Sequence, residues 1–290
     1  MGIHHTHSHA PPRGSSRVLL AAVGITAGYA LVEAIGGWLS GSLALLADAG
    51  HMVSDAMALG LAAGAAIVAQ RPATTSHTFG LGRVEVVAAT FNAFFLLGVV
   101  AAVAWAAIGR LQNPVPVSGG TVLLIASAGL VINVVVAWML SRGVQSLNVR
   151  AAFLHVLGDL LGSVAALVSG AVILLTGWTP IDPLLSLFIC ALIVVSCIRL
   201  LREALHVVME AVPRDLELEE VGRAMAAVDG VREVHDLHIW QVASGSVMLT
   251  AHLIIDSYRD WDRTHLAVRE VLERNFDITH VTLQPEALTK

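Results

Sequence analysis

From Val18 to Leu201 the chain alternates long apolar runs with short polar breaks. A helix needs about 20 mostly apolar residues to cross the hydrocarbon core of a bilayer. Six runs reach that length, at roughly 18–39, 43–70, 85–108, 118–140, 151–175 and 182–201. The breaks carry turn chemistry: Ser40-Gly41-Ser42 after the first run, Asn113 to Pro116 after the third, Gly177 to Pro183 after the fifth. Beyond Arg202 the period changes. Residues 216–230 repeat like an amphipathic helix, 231–242 and 246–256 alternate like strands joined by Ala243-Ser244-Gly245, 263–276 form a second helical pattern and 280–286 a last strand. The order helix–strand–strand–helix–strand predicts an α+β sandwich of about 80 residues, small enough that dimerisation would help to stabilise it.

Composition sharpens the division. The chain is 56% hydrophobic and 13% charged, with a mean hydropathy of +0.75, whereas a soluble domain is about a quarter charged. Charges are scattered singly up to Leu201 and dense from Arg202 to Lys290. The expected organisation is a His-rich tail (1–17), a six-helix membrane domain (18–206) and a soluble domain (207–290). Arg13, Arg17, Arg71, Arg83, Arg142, Arg150, Arg199 and Arg202 fall on one side of the predicted spans, and Arg110 alone on the other. The positive-inside rule then places both termini in the cytoplasm. The N-terminal residues before Val18 lack an apolar core, so the first span is expected to be retained rather than cleaved as a signal peptide. A net charge of −5 without a basic stripe argues against nucleic acid as a partner. Cys190 and Cys197, seven residues apart on one predicted helix, are separated by about 10 Å of rise, too far for a disulfide.

Within the second run, Ala47 to Gly60 carries Asp48, His51 and Asp55. A carboxylate at the bilayer centre costs about 2.5–3.5 kcal/mol on insertion scales. His51 and Asp55 are one helical turn apart and share a face; Asp48 falls on the same stripe. The fifth run repeats the spacing with His155 and Asp159. A histidine one turn from a carboxylate on each of two helices points to one shared site. Two imidazoles and two carboxylates suit tetrahedral Zn²⁺, are too rich in nitrogen for Mg²⁺ or Ca²⁺, and offer no thiolate for Cu⁺. Two ionised Asp neutralise one Zn²⁺, and without the metal the paired negative charges favour protons. Such a site suits exchange of metal for H⁺. Asp48 is read as a neighbour of this site or a step on the entry route, and Glu33, Asn92 and Asn133 as supporting or helix-contact groups.

These residues carry a family resemblance. The stretches GSLALLADAGHMVSDAMAL, HTFGLGRVE, NVRAAFLHVLGDLLGSV, MEAVP and VREVHDLHIWQV resemble the cation diffusion facilitator family, above all its bacterial zinc exporters. The resemblance implies a polytopic α-helical membrane protein with six transmembrane helices and a small cytoplasmic α+β ferredoxin-like domain. It implies a homodimer in the lipid bilayer of the inner membrane that exports Zn²⁺ against entering H⁺, with Cd²⁺ or other divalent transition metals as alternative cargo. The family's transport site maps onto His51, Asp55, His155 and Asp159, a ligand set associated with zinc preference. In the tail, His235, His252 and Glu286 match regulatory metal positions, with His206 and His280 as additional candidates; surface or interface histidines are the alternative. Gln284 stands where some members carry a further histidine. Arg83 and Glu210 match a charge pair between membrane domain and tail. His77 matches one ligand of a loop site, but Leu81 replaces the second. His238 and Trp240 alternate with neighbouring strand residues and are read as packing. His4, His5, His7 and His9 read as a metal-gathering tail, with an expression tag as the alternative. Two other classes compete: an intramembrane metal hydrolase, disfavoured because no H-E-x-x-H occurs, and a zinc-gated sensor, which net zinc movement would exclude.

Overall fold

The computed structural model describes residues 13–141, 147–243 and 246–287, and their side chains except at 13–20, 147–155, 157 and 243. The N-terminal histidines, His4 to His9, lie outside the described residues. Among the described residues, six helices are long and apolar enough to cross a membrane: α1 (Arg13–Ser40), α2 (Leu43–Ala69), α3 (Val84–Gln112), α4 (Gly119–Ser141), α5 (Leu147–Thr176) and α6 (Ile181–Val208). They match the six predicted runs. The largest difference is at α6, which continues to Val208 instead of stopping at Leu201. Arg199, Arg202 and Glu203 end the apolar run, but arginine and glutamate are good helix formers and the helix carries on through them.

The chain divides into two compact units. The first comprises residues up to Gly60 together with Asn92–Ile198. Here α4 packs against α5 and α1. A Cβ on Gly119 would lie 2.7 Å from the Leu174 amide, and one on Gly170 would lie 2.6 Å from that of Leu123. Small residues thus let the two backbones approach, the usual route to helix association in lipid. The core is correspondingly fine-grained, with Ala44, Leu45, Val122, Ala126 and Ala166 all buried. Gly41 turns α1 into α2 at φ +71°, a conformation glycine adopts without strain.

A buried carboxylate organises the same end of this unit. Asp182, in the first turn of α6, is fully buried. It accepts hydrogen bonds from Ser42 Oγ (2.5 Å), the Leu43 amide (2.7 Å), the Ala44 amide (3.4 Å) and Ser169 Oγ (3.2 Å). Two of those donors belong to the first turn of α2, where backbone N–H groups have no partner within the helix. Arg110 Nη1 stands 4.0 Å from Asp182 and also donates to the Gly41 carbonyl.

The second unit comprises Leu61–Phe91 and the residues from Arg199 onward. Its soluble part contains α7 (Leu218–Ala226), β1 (Val231–Ala243), β2 (Ser246–Ile255), a single 3-10 turn at Tyr258–Asp260, α8 (Trp261–Phe276) and β3 (His280–Ala287), the order predicted. β2 is central, antiparallel to β1 and parallel to β3, with α8 as the crossover. Leu249, Ala251, Leu253 and Ile255 of β2 are buried with Val221, Met225, Val268 and Leu272 of the helices. Side chains alternate across a strand, so His252 stands on the other face. Arg83 Nη2 lies 2.6 Å from Glu210 Oε1. Both side chains are about half exposed, which limits the pair to about 1 kcal/mol at most.

Candidate metal centres

The helical period places His51 and Asp55 on one face of α2, with His51 Nδ1 3.6 Å from Asp55 Oδ2. Asp159 of α5 meets the other side of the same ring: His51 Nε2 is 3.8 Å from Asp159 Oδ1. One ligand atom from each of the three lies within 4.8 Å of the others. Ligands about 2.0–2.1 Å from a tetrahedral ion are about 3.3 Å apart; the two contacts use opposite nitrogens of His51, only one of which can bind a given ion, so the three must close by as much as about 1.5 Å to hold one cation. The side chain of His155 lies outside the described residues; the α5 backbone sets it one turn before Asp159, on the same helix face.

Asp48 does not join this group. It is buried, and Ser163 Oγ donates to its Oδ2 at 3.4 Å, while Asn133 Nδ2 donates to Ser163 Oγ at 3.0 Å. Any side chain at Gly162 would strike the Asp48 carboxylate. That glycine lets α5 come up against α2 at the level of the cluster. Asn92 meets Ser54 of α2, Oδ1 to Oγ 3.3 Å, and Glu33 is fully buried against Gly129 of α4. Sequence reading missed Ser163, although it falls one turn after Asp159, and Asp182, which lay in a stretch read only as turn punctuation.

In the soluble domain, His235 of β1 and His252 of β2 are cross-strand partners with ring centroids 5.3 Å apart. Glu286 of β3 reaches both: Oε2 is 3.1 Å from His235 Nε2 and Oε1 is 2.8 Å from His252 Nδ1. These three form the other group of ligand atoms within 4.8 Å among the described residues. The two further candidates do not reach it. His206 Nε2 lies 2.8 Å from the Val212 carbonyl oxygen. His280 is six residues before Glu286 on β3, about 20 Å away along an extended strand, and packs edge-on against Phe79. Gln284 pairs with His252 in register. His77 is exposed in the loop before α3. Packing does not describe His238: it is exposed, with Nε2 3.0 Å from Asp236 Oδ1.

Six apolar helices followed by a small α+β domain define an integral membrane protein with an appended soluble module. Residues 19–209 match the cation efflux transmembrane domain and residues 213–288 the cation efflux protein cytoplasmic domain. The chain belongs to the cation efflux, or cation diffusion facilitator, family; it is a transporter and not an enzyme, and its C-terminal domain is cytoplasmic. It is 44% identical to zinc transporter ZitB of Escherichia coli (strain K12) over 97% of this chain and 91% of that protein. It is 39% identical to the metal cation efflux system protein CzcD of Cupriavidus metallidurans over 99% of this chain and 90% of that protein. A cadmium, cobalt and zinc/H(+)-K(+) antiporter of Bacillus subtilis is 36% identical over 97% of this chain and 91% of its own length.

Proposed function

We propose that this protein exports Zn²⁺ from the cytoplasm across the inner membrane in exchange for H⁺, working as a homodimer with both termini in the cytoplasm. The observation that carries this reading is His51, whose two ring nitrogens face Asp55 on its own helix and Asp159 on α5. His155 completes a two-histidine, two-aspartate set. The cargo ion binds to the neutral imidazoles and ionised carboxylates, whose two negative charges balance its own. When the metal leaves, protons can take the same lone pairs. Metal and proton therefore exclude one another, which is the requirement for antiport. The names of the relatives support zinc and H⁺, and also admit Cd²⁺ and Co²⁺ as cargo.

The tail is the regulatory half of this proposal. Metal held by His235, His252 and Glu286 would favour one arrangement of the cytoplasmic domains and shift the population toward it by the difference in affinity between the two states. The Arg83–Glu210 pair, weak and exposed, is suited to break and re-form as that arrangement changes. The domain division is 18–206 for transport and 207–290 for sensing and dimerisation.

Everted vesicles test the exchange. With the lumen more acidic than the bath, zinc is expected to accumulate inside against its gradient, and an ionophore that collapses the pH difference should release it. Zinc that enters only to equilibrium would refute antiport, and vesicles that take up none would make the membrane cluster a sensor. The same assay tests selectivity. Replacing His51 by Asp exchanges a nitrogen ligand for oxygen and adds a charge, so His51→Asp is expected to discriminate less against Cd²⁺ or Mn²⁺. An unchanged preference would show that His51 does not set it.

A further inference from the structure

His252 stands between two carboxylates. Its Nδ1 faces Glu286 at 2.8 Å, and its Nε2 faces Asp236 Oδ2 at 3.8 Å. In a regular strand the residue after His235 would point to the opposite face, toward the helices. It does not, because β1 carries one extra residue there. Pairing runs from His235↔His252 to His238↔Thr250, three steps on β1 against two on β2. That is a β-bulge. Asp236 takes the left-handed conformation, φ +50°, at the bulge. Aspartate is one of the few residues other than glycine that adopts it readily. The carboxylate is thereby lifted out of the core-facing side and stands beside His252, with its other oxygen 3.0 Å from His238 Nε2.

We propose that Asp236 is a positioning residue for the tail metal site: it accepts the Nε2–H of His252, which leaves Nδ1 free to bind the metal alongside His235 and Glu286. The proposal rests on the reading of His235, His252 and Glu286 as a metal site and adds to it the group that fixes the tautomer. Neutral histidine carries its proton on one nitrogen only, and metal-binding histidines generally donate the other to a carboxylate, carbonyl or water. At 3.8 Å the contact is longer than a formed hydrogen bond; metal drawing Nδ1 inward would rotate the ring, and the exposed Asp236 side chain has room to follow.

The test is zinc binding to the full-length protein in detergent, measured by competition with a chelating dye. The His235→Ala/His252→Ala double variant should lose one tight zinc per chain; if it loses none, the tail site itself is refuted. Where that loss is seen, Asp236→Gly is the informative variant, because glycine keeps the left-handed backbone and removes only the carboxylate. Tail affinity is expected to fall about 10–100-fold, the usual effect of removing a group that orients a ligand. Asp236→Asn, which retains a neutral acceptor and tolerates the backbone, should recover part of the loss. Saturating Co²⁺ should give the same ligand-field bands in wild type and Asp236→Gly. Wild-type affinity in Asp236→Gly overturns the proposal. Altered cobalt bands also overturn it, because they would make Asp236 a ligand.

Discussion

Purified Asp159→Ala is expected to fold, insert and bind metal in its tail, yet to move zinc at least 100-fold more slowly than wild type. Asp159 is almost wholly buried on α5 and lies across the His51 ring from Asp55. On the proposed reading, removing it deletes one of two anionic ligands. The metal would then enter a largely buried site with its charge only half balanced. The same substitution at Asp55, which is more exposed, should be nearly as severe because the charge argument is identical. Transport in proteoliposomes is the measurement, with zinc binding by the tail as the control for folding. Wild-type flux through Asp159→Ala would remove Asp159 from the cargo site.

Asp182→Ala is expected to damage the protein differently, through stability. The carboxylate satisfies two amides of the first turn of α2 and two serine hydroxyls, and it is the acid nearest Arg110. Breaking a buried ionic and hydrogen-bonded group by removing one partner costs about 3–5 kcal/mol. A lower unfolding temperature in detergent and a reduced folded yield are expected, with Asp182→Asn recovering part of the loss through its remaining acceptor. Transport per folded molecule should fall too, because α2, which carries His51 and Asp55, would lose the anchor at its start. An unchanged melting curve for Asp182→Ala would show that the cap is dispensable.

Six spans, their limits within a few residues except at the end of α6, and the order of elements in the tail follow from local pattern. Apolar length and the 3.6- and 2-residue periods are properties of the chain itself. So is the grouping of His51 with Asp55, and of His155 with Asp159, because one helical turn brings them together. Pattern alone overran or fell short where composition and propensity disagree: charged residues at the end of α6 closed the apolar run without closing the helix.

The set of elements, the faces of each that carry chemistry, and the family were all legible in the chain. Tertiary structure alone decided which faces meet. Gly162 admits Asp48 to the α2–α5 contact, Asp182 on α6 caps α2 across 139 positions of sequence to Leu43, and a one-residue slip in β1 turns Asp236 toward His252. A strand pattern placed His280 and Glu286 at the two ends of one element, but only the β2–β3 register decided which end lies beside His252 of β2. Periodicity is a short-range property of bonded neighbours. Register, bulges and cross-helix caps are fixed by packing and by the need to satisfy buried polar groups between segments distant along the chain.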